Sequence, residues 1–342
     1  MRLADFDYSL PPDRIAQTPI EPRDASRLMV LHRDTGEVEH RIFRDLGLPA
    51  PKGGLLRRGD VLVLNRTRVI PARLFARKPT GGRVELLLLR RRDVLTWEAL
   101  VGGKGLGVGK QVRVESGPAA EILEAGEGAG RLVRFSEPIE PYFPTAGHVP
   151  LPPYIHEKLD DPERYQTVYA SEMGSAAAPT AGLHFTPRLL ASLQTAGVKV
   201  TYVTLHVGLD TFAPVTEEDP RQHKIHTEWC ELPAETAEAV NAARRGGRRV
   251  VAVGTTSVRT LESAAWRCDE ILPFAGPTSL FILPGYEFKV VDALITNFHL
   301  PKSTLLMLVS AFAGREKVLA AYEIAIREGY RFYSFGDAMF IH

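Results

Sequence analysis

The segment Val250-Val-Ala-Val-Gly-Thr-Thr-Ser-Val-Arg259 decides the fold class of this chain. Apolar, strand-forming residues place a strand at Arg249–Gly254, and hydroxyl residues then lead into a helical pattern at Ser257–Trp266. A strand that passes directly into a helix is part of the strand–helix–strand unit of α/β proteins. The segment therefore predicts an α/β layered domain.

The flanking sequence repeats this alternation of strands and helices. The further elements that we predict are Pro187–Ala196 (helix), Val198–Val207 (strand), Ala234–Ala243 (helix), Asp292–Thr296 (strand), Ser303–Ala313 (helix) and Arg315–Glu328 (helix). Gly197, Gly314 and Gly329 each follow a helix at the position where left-handed backbone commonly ends one.

From about Thr67 to Ser136 the pattern changes to short β-runs separated by glycine turns. These runs are Val69–Ala76, Arg83–Leu89, Trp97–Val101, Gln111–Glu115, Ala120–Leu123 and Arg131–Phe135. Many short strands at close spacing, without helical periodicity, predict a small β-barrel. The proline-rich stretch Pro138–Pro153 resembles a boundary linker.

The predicted organisation is thus an α/β main domain of residues 1–66 and 151–342, with an inserted β-barrel domain of residues 67–150. The amino-terminal segment up to about Asn65 lacks a core of its own. We therefore expect it to pack onto the α/β part.

The composition is that of an ordinary soluble globular protein, with 44% hydrophobic and 24% charged residues among 342. The first residues lack a signal-peptide pattern, and no apolar stretch approaches the ~20 residues of a membrane span. We expect a cytoplasmic protein without membrane contact.

Cys230 and Cys268 lie outside metal-ligand spacings and are expected to be reduced thiols. A net charge of +1 means that RNA binding would need a local basic patch.

Two strand-to-helix junctions carry polar residues that suit ligand binding. These residues are Thr255, Thr256, Ser257 and Arg259 at the first junction, and Asn297 and His299 at the second. Helix starts offer free N–H groups to carboxylates or phosphates, and open α/β sheets bind ligands beyond the carboxyl ends of their strands. The two junctions therefore predict a shared cleft. The alternatives are that Thr256 or Ser257 only caps the helix, and that His299 is structural.

Two further segments supply candidates for the same cleft. Gly174–Phe185 consists largely of small residues, among them Gly182, which allow a ligand to approach the backbone closely; Thr180 and His184 offer side-chain chemistry there. His206 stands at a strand end, where alternation points it to one face of the sheet. The alternatives are a tightly packed turn and a buried, hydrogen-bonded histidine.

Weaker patterns bear on a metal site and on an RNA site. His223 and His226 form H-x-x-H near Glu228, but the spacing differs from the helical H-E-x-x-H motif and the surroundings predict a loop, so no metal site is predicted. The basic residues of the barrel could contact RNA or be ordinary solvated charges; they are Arg73, Arg77, Arg90, Arg91 and Arg92.

Long stretches spread over the whole chain resemble one enzyme family, the S-adenosylmethionine:tRNA ribosyltransferase-isomerases of queuosine biosynthesis. The matching stretches are Asp5–Pro11, Ile15–Gln17, Arg23–Leu28, Asn65–Arg73, Tyr165–Tyr169, Ala178–Thr186, Gly254–Arg259, Thr296–Thr304 and Ser334–Asp337. The chain departs from the family pattern at Arg66, Ala176 and Asp210.

The resemblance implies a monomeric cytoplasmic enzyme with an α/β domain and an inserted barrel. Its reaction would move the ribosyl part of S-adenosylmethionine onto the 7-aminomethyl-7-deazaguanine base at the tRNA wobble position, giving epoxyqueuosine and releasing adenine and methionine. S-adenosylmethionine is then a consumed substrate, and no cofactor is expected. Two other classes remain open: a metal-dependent hydrolase and a noncatalytic RNA-binding module.

The implied chemistry sets three demands on the site. The sulfonium acidifies the adjacent 5′ hydrogens, so a base can form an ylide before adenine leaves and the substrate amine attacks. His184, His206 and His299 are the acid/base candidates, since neutral imidazole suits proton transfer near pH 7. Arg259 with the Thr255–Ser257 turn is the candidate anchor for the methionine carboxylate. Should the histidines prove to be packing residues, Glu172 or Asp210 is the alternative base.

Overall fold

The structure is a computed structural model that describes residues 1–49, 52–126, 128–157, 159–208, 215–265 and 270–342. Asp210, Trp266 and Cys268 lie outside the described residues. The chain divides into two compact units. The sheet unit comprises Met1–Thr67, Pro153–Glu172 and Ala178–His342, and the barrel unit comprises Arg68–Pro152 and Met173–Ala177.

The strands of the described residues are β1 (Arg27–Leu31), β2 (Val38–Ile42), β3 (Val61–Asn65), β4 (Thr67–Val69), β5 (Arg73–Arg77), β6 (Arg83–Arg91), β7 (Thr96–Gly102), β8 (Gln111–Val114), β9 (Ala119–Ala125), β10 (Gly130–Phe135), β11 (Gly147–His148), β12 (Glu172–Ser175), β13 (Lys199–Leu205), β14 (Glu228–Leu232), β15 (Val250–Val253), β16 (Phe274–Thr278), β17 (Ala293–Asn297) and β18 (Ala338–Ile341). The α-helices of the same residues are α1 (Phe143–Ala146), α2 (Pro187–Thr195), α3 (Ala234–Arg245), α4 (Gly254–Ala264), α5 (Thr304–Ala313) and α6 (Arg315–Arg327). Short 3₁₀ helices, among them Thr180–His184, connect several of them.

The sheet unit is built on nine strands in the order β16-β14-β13-β3-β15-β17-β18-β1-β2. The four neighbours β13, β3, β15 and β17 are mutually parallel, whereas β14 and β18 run antiparallel to them at either side. Parallel neighbours place their carboxyl ends at one edge of the sheet. That edge is where open α/β sheets bind ligands.

The central strand β15 is wholly apolar, and β3 is apolar up to Asn65, as expected where both faces of a sheet are covered. In β3, Val61 and Val63 belong to one hydrophobic core with residues of α4, α5 and α6, while Leu62 and Leu64 belong to a second core with residues of α2. Alternate side chains of one strand thus fill opposite layers. The result is a helix–sheet–helix arrangement, and the predicted α/β fold class is confirmed.

The amino-terminal segment does not simply pack onto the α/β part; it forms strands of the sheet itself. It supplies β1, β2 and β3, and β3 lies between β13 and β15 near the middle of the sheet. Short apolar runs such as Val61–Asn65 carry no helical or alternating period, so the sequence pattern alone did not assign them as strands.

The barrel unit confirms the predicted small β-barrel. Six strands follow the order β5-β6-β7-β10-β9-β8, and pairing of β5 with β8 closes them. Val84, Leu86 and Leu88 alternate inward along β6. The single predicted strand Val69–Ala76 is two strands, β4 and β5, with Pro71 between them, because proline lacks the N–H that a strand ladder needs.

The stretch Pro138–Pro153 is not a plain linker. Ile139, Phe143 and Ala146 are buried in the barrel core, and β11 pairs with β5. Pro141 and Pro144 fit because each occupies the first turn of a short helix, where a missing N–H has no cost. Elsewhere Gly197, Gly314 and Gly329 have positive φ at helix ends, as predicted. No helix formed by the described residues is long and apolar enough to cross a bilayer.

Candidate active site

A cleft lies at the carboxyl ends of the parallel strands of the sheet unit and is partly open to solvent. Three strand ends contribute to its wall: Val207 follows β13, Gly254–Thr256 follow β15, and Thr296–Leu300 span the end of β17. We call this the strand-end cleft. The two predicted junctions therefore meet in one cavity.

Helix α4 begins at Gly254, three residues before the predicted start. Gly254 has a φ of +82°, a left-handed conformation that turns the chain from strand into helix without a connecting loop. Thr255 and Thr256 consequently lie in the first turn and line the cleft. Ser257 does not line it: its buried hydroxyl donates to the Val253 carbonyl at 2.7 Å.

The start of α4 has the features of a site for an anionic group. No side chain of the described residues caps the helix, so its first N–H groups are left for another acceptor. The hydroxyl oxygen of Thr256 is buried and has no hydrogen-bond partner among the residues that the structure describes. Buried polar atoms are nearly always paired, so this hydroxyl points to a ligand in the cleft.

Asn297 is held at the cleft wall by three neighbours. Thr180 donates to its Oδ1 at 2.9 Å, while its Nδ2 faces His184 Nε2 at 3.2 Å and the Tyr333 carbonyl at 3.3 Å. Because Nε2 of His184 accepts from the amide, its Nδ1 carries the proton and donates to Ser26 Oγ at 2.7 Å. Both ring nitrogens of His184 are therefore occupied by protein groups.

His184 is only 4% exposed and is not among the residues that line the cleft. Burial, with the nearby charges of Arg331 and Arg23, lowers its pKa to about 3. The imidazole is neutral near pH 7 and orients Asn297 through a hydrogen bond.

His299 lines the strand-end cleft and is half-buried. Its Nε2 lies 2.7 Å from Thr296 Oγ1, and its Nδ1 has no hydrogen-bond partner among the described residues. Its backbone is fixed, since its N–H donates to the Tyr322 hydroxyl at 2.9 Å and its carbonyl accepts from Tyr8. Burial lowers its pKa to about 3, so the ring is neutral near pH 7.

His206 follows β13 but does not line the cleft, although the next residue, Val207, does. Its Nδ1 lies 2.8 Å from Thr67 Oγ1, and its ring stacks on Trp229 with centroids 5.4 Å apart and planes inclined by 19°. Burial lowers the pKa of His206, against the opposing charge of Glu172.

Arg259 is 8% exposed and is not a lining residue of the cleft. Its Nη1 forms an ion pair with Glu228, and its Nε donates to the Leu280 carbonyl at 3.1 Å. The other oxygen of Glu228 accepts from the Gly208 N–H at 3.0 Å. Arg259 thus ties α4 to β14, and its role as a carboxylate anchor stays a prediction.

The Glu228 carboxylate is charged although it is buried. Burial raises its pKa, but hydrogen bonding by His226, the charge of Arg259 and the Gly208 N–H together leave that pKa below its usual value. A buried carboxylate of this kind depends on its cation.

Close packing around position 182 requires a glycine there. A side chain there would meet Thr167 Cγ2 at 2.9 Å and the Tyr169 hydroxyl at a closer distance still. The residue is not among those that line the cleft.

The structure adds cleft residues that the sequence pattern did not single out, notably Tyr154, Tyr333 and Ser334. The two tyrosine rings lie 4.7 Å apart, and Tyr154 shares a 2.8 Å hydrogen bond with Ser334 Oγ. Burial raises the pKa of Tyr154 to about 12 and also raises that of Tyr333. Tyr333 has a φ of +69°, strained backbone of the kind that concentrates at functional sites. The only sequence signal was Ser334 in the matching stretch Ser334–Asp337.

The five candidate RNA contacts lie on the barrel unit, and most of them pair with glutamates of the same unit. The pairs are Arg73 with Glu85, Arg77 with Glu115, Arg91 with Glu140 and Arg92 with Glu98; Arg90 is exposed. Solvent-exposed ion pairs of this kind contribute little to stability. Residues 68–152 carry 13 lysines and arginines against 9 aspartates and glutamates, so a basic excess remains.

His223 and His226 have separate partners. His223 Nδ1 lies 2.8 Å from Glu217, and His226 Nε2 lies 3.3 Å from Glu228. The described part of the chain contains no group of three or more histidine, cysteine or carboxylate side chains placed to hold a metal ion.

Comparison with known proteins gives one consistent result. The family described as "Queuosine biosynthesis protein" matches residues 3–341. Proteins named S-adenosylmethionine:tRNA ribosyltransferase-isomerase from Desulfitobacterium hafniense and Symbiobacterium thermophilum are each 56% identical to this chain, over the full length of both proteins. A crystal structure of S-adenosylmethionine tRNA ribosyltransferase from Thermotoga maritima is similar with a TM-score of 0.57 and 42% identity, covering 99% of this chain and all of that one. The chain therefore belongs to the queuosine biosynthesis protein family.

Proposed function

We propose that this protein is an S-adenosylmethionine:tRNA ribosyltransferase-isomerase. It transfers and isomerises the ribosyl moiety of S-adenosylmethionine onto the 7-aminomethyl-7-deazaguanine base at the tRNA wobble position, and it releases adenine and methionine. The observation that carries the proposal is the 56% identity, over full length, to proteins of that name. The strand-end cleft supports it with groups that suit the donor.

The chemistry of the cleft suits the donor. The cleft is lined mainly by small and apolar residues with a few hydroxyl and amide groups, as is usual for sites of small ligands. The start of α4 and the Thr256 hydroxyl, both without a side-chain partner in the described part of the chain, suit the methionine carboxylate. Tyr154 and Tyr333 offer aromatic surface for adenine.

His299 is the proposed proton acceptor. Among the three predicted histidines it alone lines the described cleft, and its Nδ1 is open to a substrate. The neutral imidazole takes a proton from the carbon next to the sulfonium, leaving an electron pair that the positive sulfur stabilises. His184 acts indirectly by orienting Asn297.

The protein acts on two partners, S-adenosylmethionine and tRNA. S-adenosylmethionine is consumed as a substrate, and the enzyme works as a cytoplasmic monomer without a resident cofactor or metal. The excess of basic over acidic side chains in residues 68–152 attracts the tRNA phosphates.

The test is to incubate the protein with S-adenosylmethionine and tRNA bearing the precursor base, and to follow adenine by chromatography. Adenine should appear only with the modified tRNA, and a chelator should leave the rate unchanged. Activity that a chelator abolishes and zinc restores would favour a metal-dependent hydrolase. Binding of tRNA without any binding of S-adenosylmethionine by calorimetry would favour a noncatalytic RNA-binding module.

A further inference from the structure

Trp229 is an exposed aromatic residue of the sheet unit and does not line the strand-end cleft. It lies in β14 and is 43% exposed, although large aromatic side chains are usually well buried. Its neighbours Glu228 and Cys230 are buried on the opposite face of the strand. The fold therefore presents the indole outward while the same strand anchors Arg259 on its inner face.

The indole is not isolated, because the His206 ring lies against it. The two rings are 5.4 Å apart and nearly parallel, and Thr67 fixes His206 through its Nδ1 at 2.8 Å. The strand ladder also joins them, since the His206 N–H donates to the Trp229 carbonyl at 3.0 Å. Together Trp229 and His206 form a rigid aromatic surface, which we call the stacking pair.

A cationic group lies on the same face of β13. Thr204 and His206 share that face by alternation, and the Arg66 Nε lies 3.4 Å from Thr204 Oγ1. Glu172 approaches Arg66 at 3.7 Å, but this pair is partly exposed and therefore weak. An aromatic surface beside an exchangeable guanidinium matches the base and the phosphate of a nucleotide.

The stacking pair also adjoins the cleft along the chain. His206 is followed directly by Val207, which lines the strand-end cleft. Polar residues such as Glu231 and Glu172 share the surroundings, so the surface is not the broad apolar patch that a stable protein partner needs.

We propose that the stacking pair of Trp229 and His206 binds an unpaired nucleobase of the tRNA substrate, with Arg66 contacting the adjoining phosphate. This inference rests on the proposed function, because it assigns a binding surface for the RNA in that reaction. The base stacks on the exposed face of the indole, and the backbone continues toward the cleft.

Trp229→Ala tests the inference, with Trp229→Phe as the conservative variant and Leu272→Ala as the matched control. Leu272 lies in the same unit and is 58% exposed. Trp229→Ala should raise the KM for modified tRNA about tenfold to a hundredfold, as expected for the loss of one base stack. Trp229→Phe should stay within a few-fold of the wild type, and Leu272→Ala should match it. The Kd for S-adenosylmethionine should not change in any variant.

A second readout is the intrinsic fluorescence of the protein. Modified tRNA should quench tryptophan emission in the wild type, and this component should be absent in Trp229→Phe. If the wild type releases no adenine with modified tRNA, the proposed function fails and this inference fails with it. If the wild type is active but Trp229→Ala keeps a normal KM for tRNA, the inference alone is wrong. A parallel rise in the Kd for S-adenosylmethionine would also overturn it, since it would show a general disturbance of the site.

Discussion

At the scale of single residues, His184 and His299 differ in how many of their ring nitrogens the protein occupies. Both nitrogens of His184 are hydrogen-bonded, to Ser26 and Asn297, whereas His299 keeps Nδ1 unengaged among the described residues. A group that transfers protons must reach the substrate, so the two histidines should respond differently to substitution.

His299→Ala should lower adenine release by about a hundredfold or more while leaving the Kd for S-adenosylmethionine near normal, because proton transfer is lost but donor contacts remain. Single-turnover adenine release and calorimetry measure the two quantities. The control is His156→Ala, which changes an exposed histidine. A His299→Ala enzyme with wild-type turnover would move the role of base to a carboxylate such as Glu172.

His184 should make stability depend on pH. Its pKa is about 3 when folded against 6.5 when unfolded, so between these values the unfolded chain binds a proton that the folded protein does not. Stability should therefore fall as the pH is lowered from 6.5, by up to about 1.4 kcal/mol per pH unit from this group.

Urea unfolding between pH 4.5 and 7.5 measures this contribution. His184→Asn should flatten the dependence, and His156→Asn should leave it as in the wild type. An unchanged slope in His184→Asn would contradict the buried neutral imidazole. Adenine release by the same variant should fall as well, because Asn297 loses one of its three partners.

At the scale of elements, the important contact is the tie between α4 and β14. The Arg259–Glu228 ion pair is buried, and Glu228 also accepts a hydrogen bond from the N–H of Gly208, which lies just beyond β13. One carboxylate thus connects the helix that starts at the cleft with two neighbouring strands. Such a pair is costly to break because the partner is left charged and buried.

Arg259→Ala should therefore lower the free energy of unfolding by about 3–5 kcal/mol. The matched control is Arg245→Ala, which breaks the exposed pair with Glu270 and should change stability by less than about 1 kcal/mol. The double variant Glu228→Gln/Arg259→Met should recover part of the loss, since neither buried charge remains. Urea unfolding would contradict this account if Arg259→Ala and Arg245→Ala were equally stable.

At the scale of the whole molecule, the charge is divided unevenly along the chain. The net charge is +1, yet residues 68–152 hold 13 basic against 9 acidic side chains. A local excess of this kind raises affinity for phosphates in a salt-dependent manner.

Reversing Arg90, Arg91 and Arg92 to glutamate should weaken tRNA binding and reduce the slope of log K against log salt by about one unit for each lost phosphate contact. S-adenosylmethionine binding should be unaffected. The control is reversal of Arg244, Arg245 and Arg248, which are exposed in the sheet unit. An unchanged slope after the barrel reversals would identify these arginines as ordinary surface charges.

The sequence by itself determined the features that depend on neighbouring residues. The fold class was predicted by the runs Arg249–Gly254 and Asp292–Thr296, the glycines after α2, α5 and α6, and the close strand spacing of the barrel. Periodicity and helix-ending glycines depend on residues that are close in sequence, so the sequence alone is enough to recognise them. The stretches Gly254–Arg259 and Thr296–Thr304 likewise marked both junctions at the cleft.

Only the tertiary structure decided which candidates face the cleft and which hold it in place. Arg259 meets Glu228 across 31 positions of sequence, and His184 meets Ser26 across 158. These contacts depend on strand order, with β3 inserted between β13 and β15, and that order follows from burial of whole strands rather than from local propensity. A histidine or arginine next to a strand end has the same local pattern whether its side chain points into a cavity or into the core. The difference arises from the partners that long-range packing brings beside it.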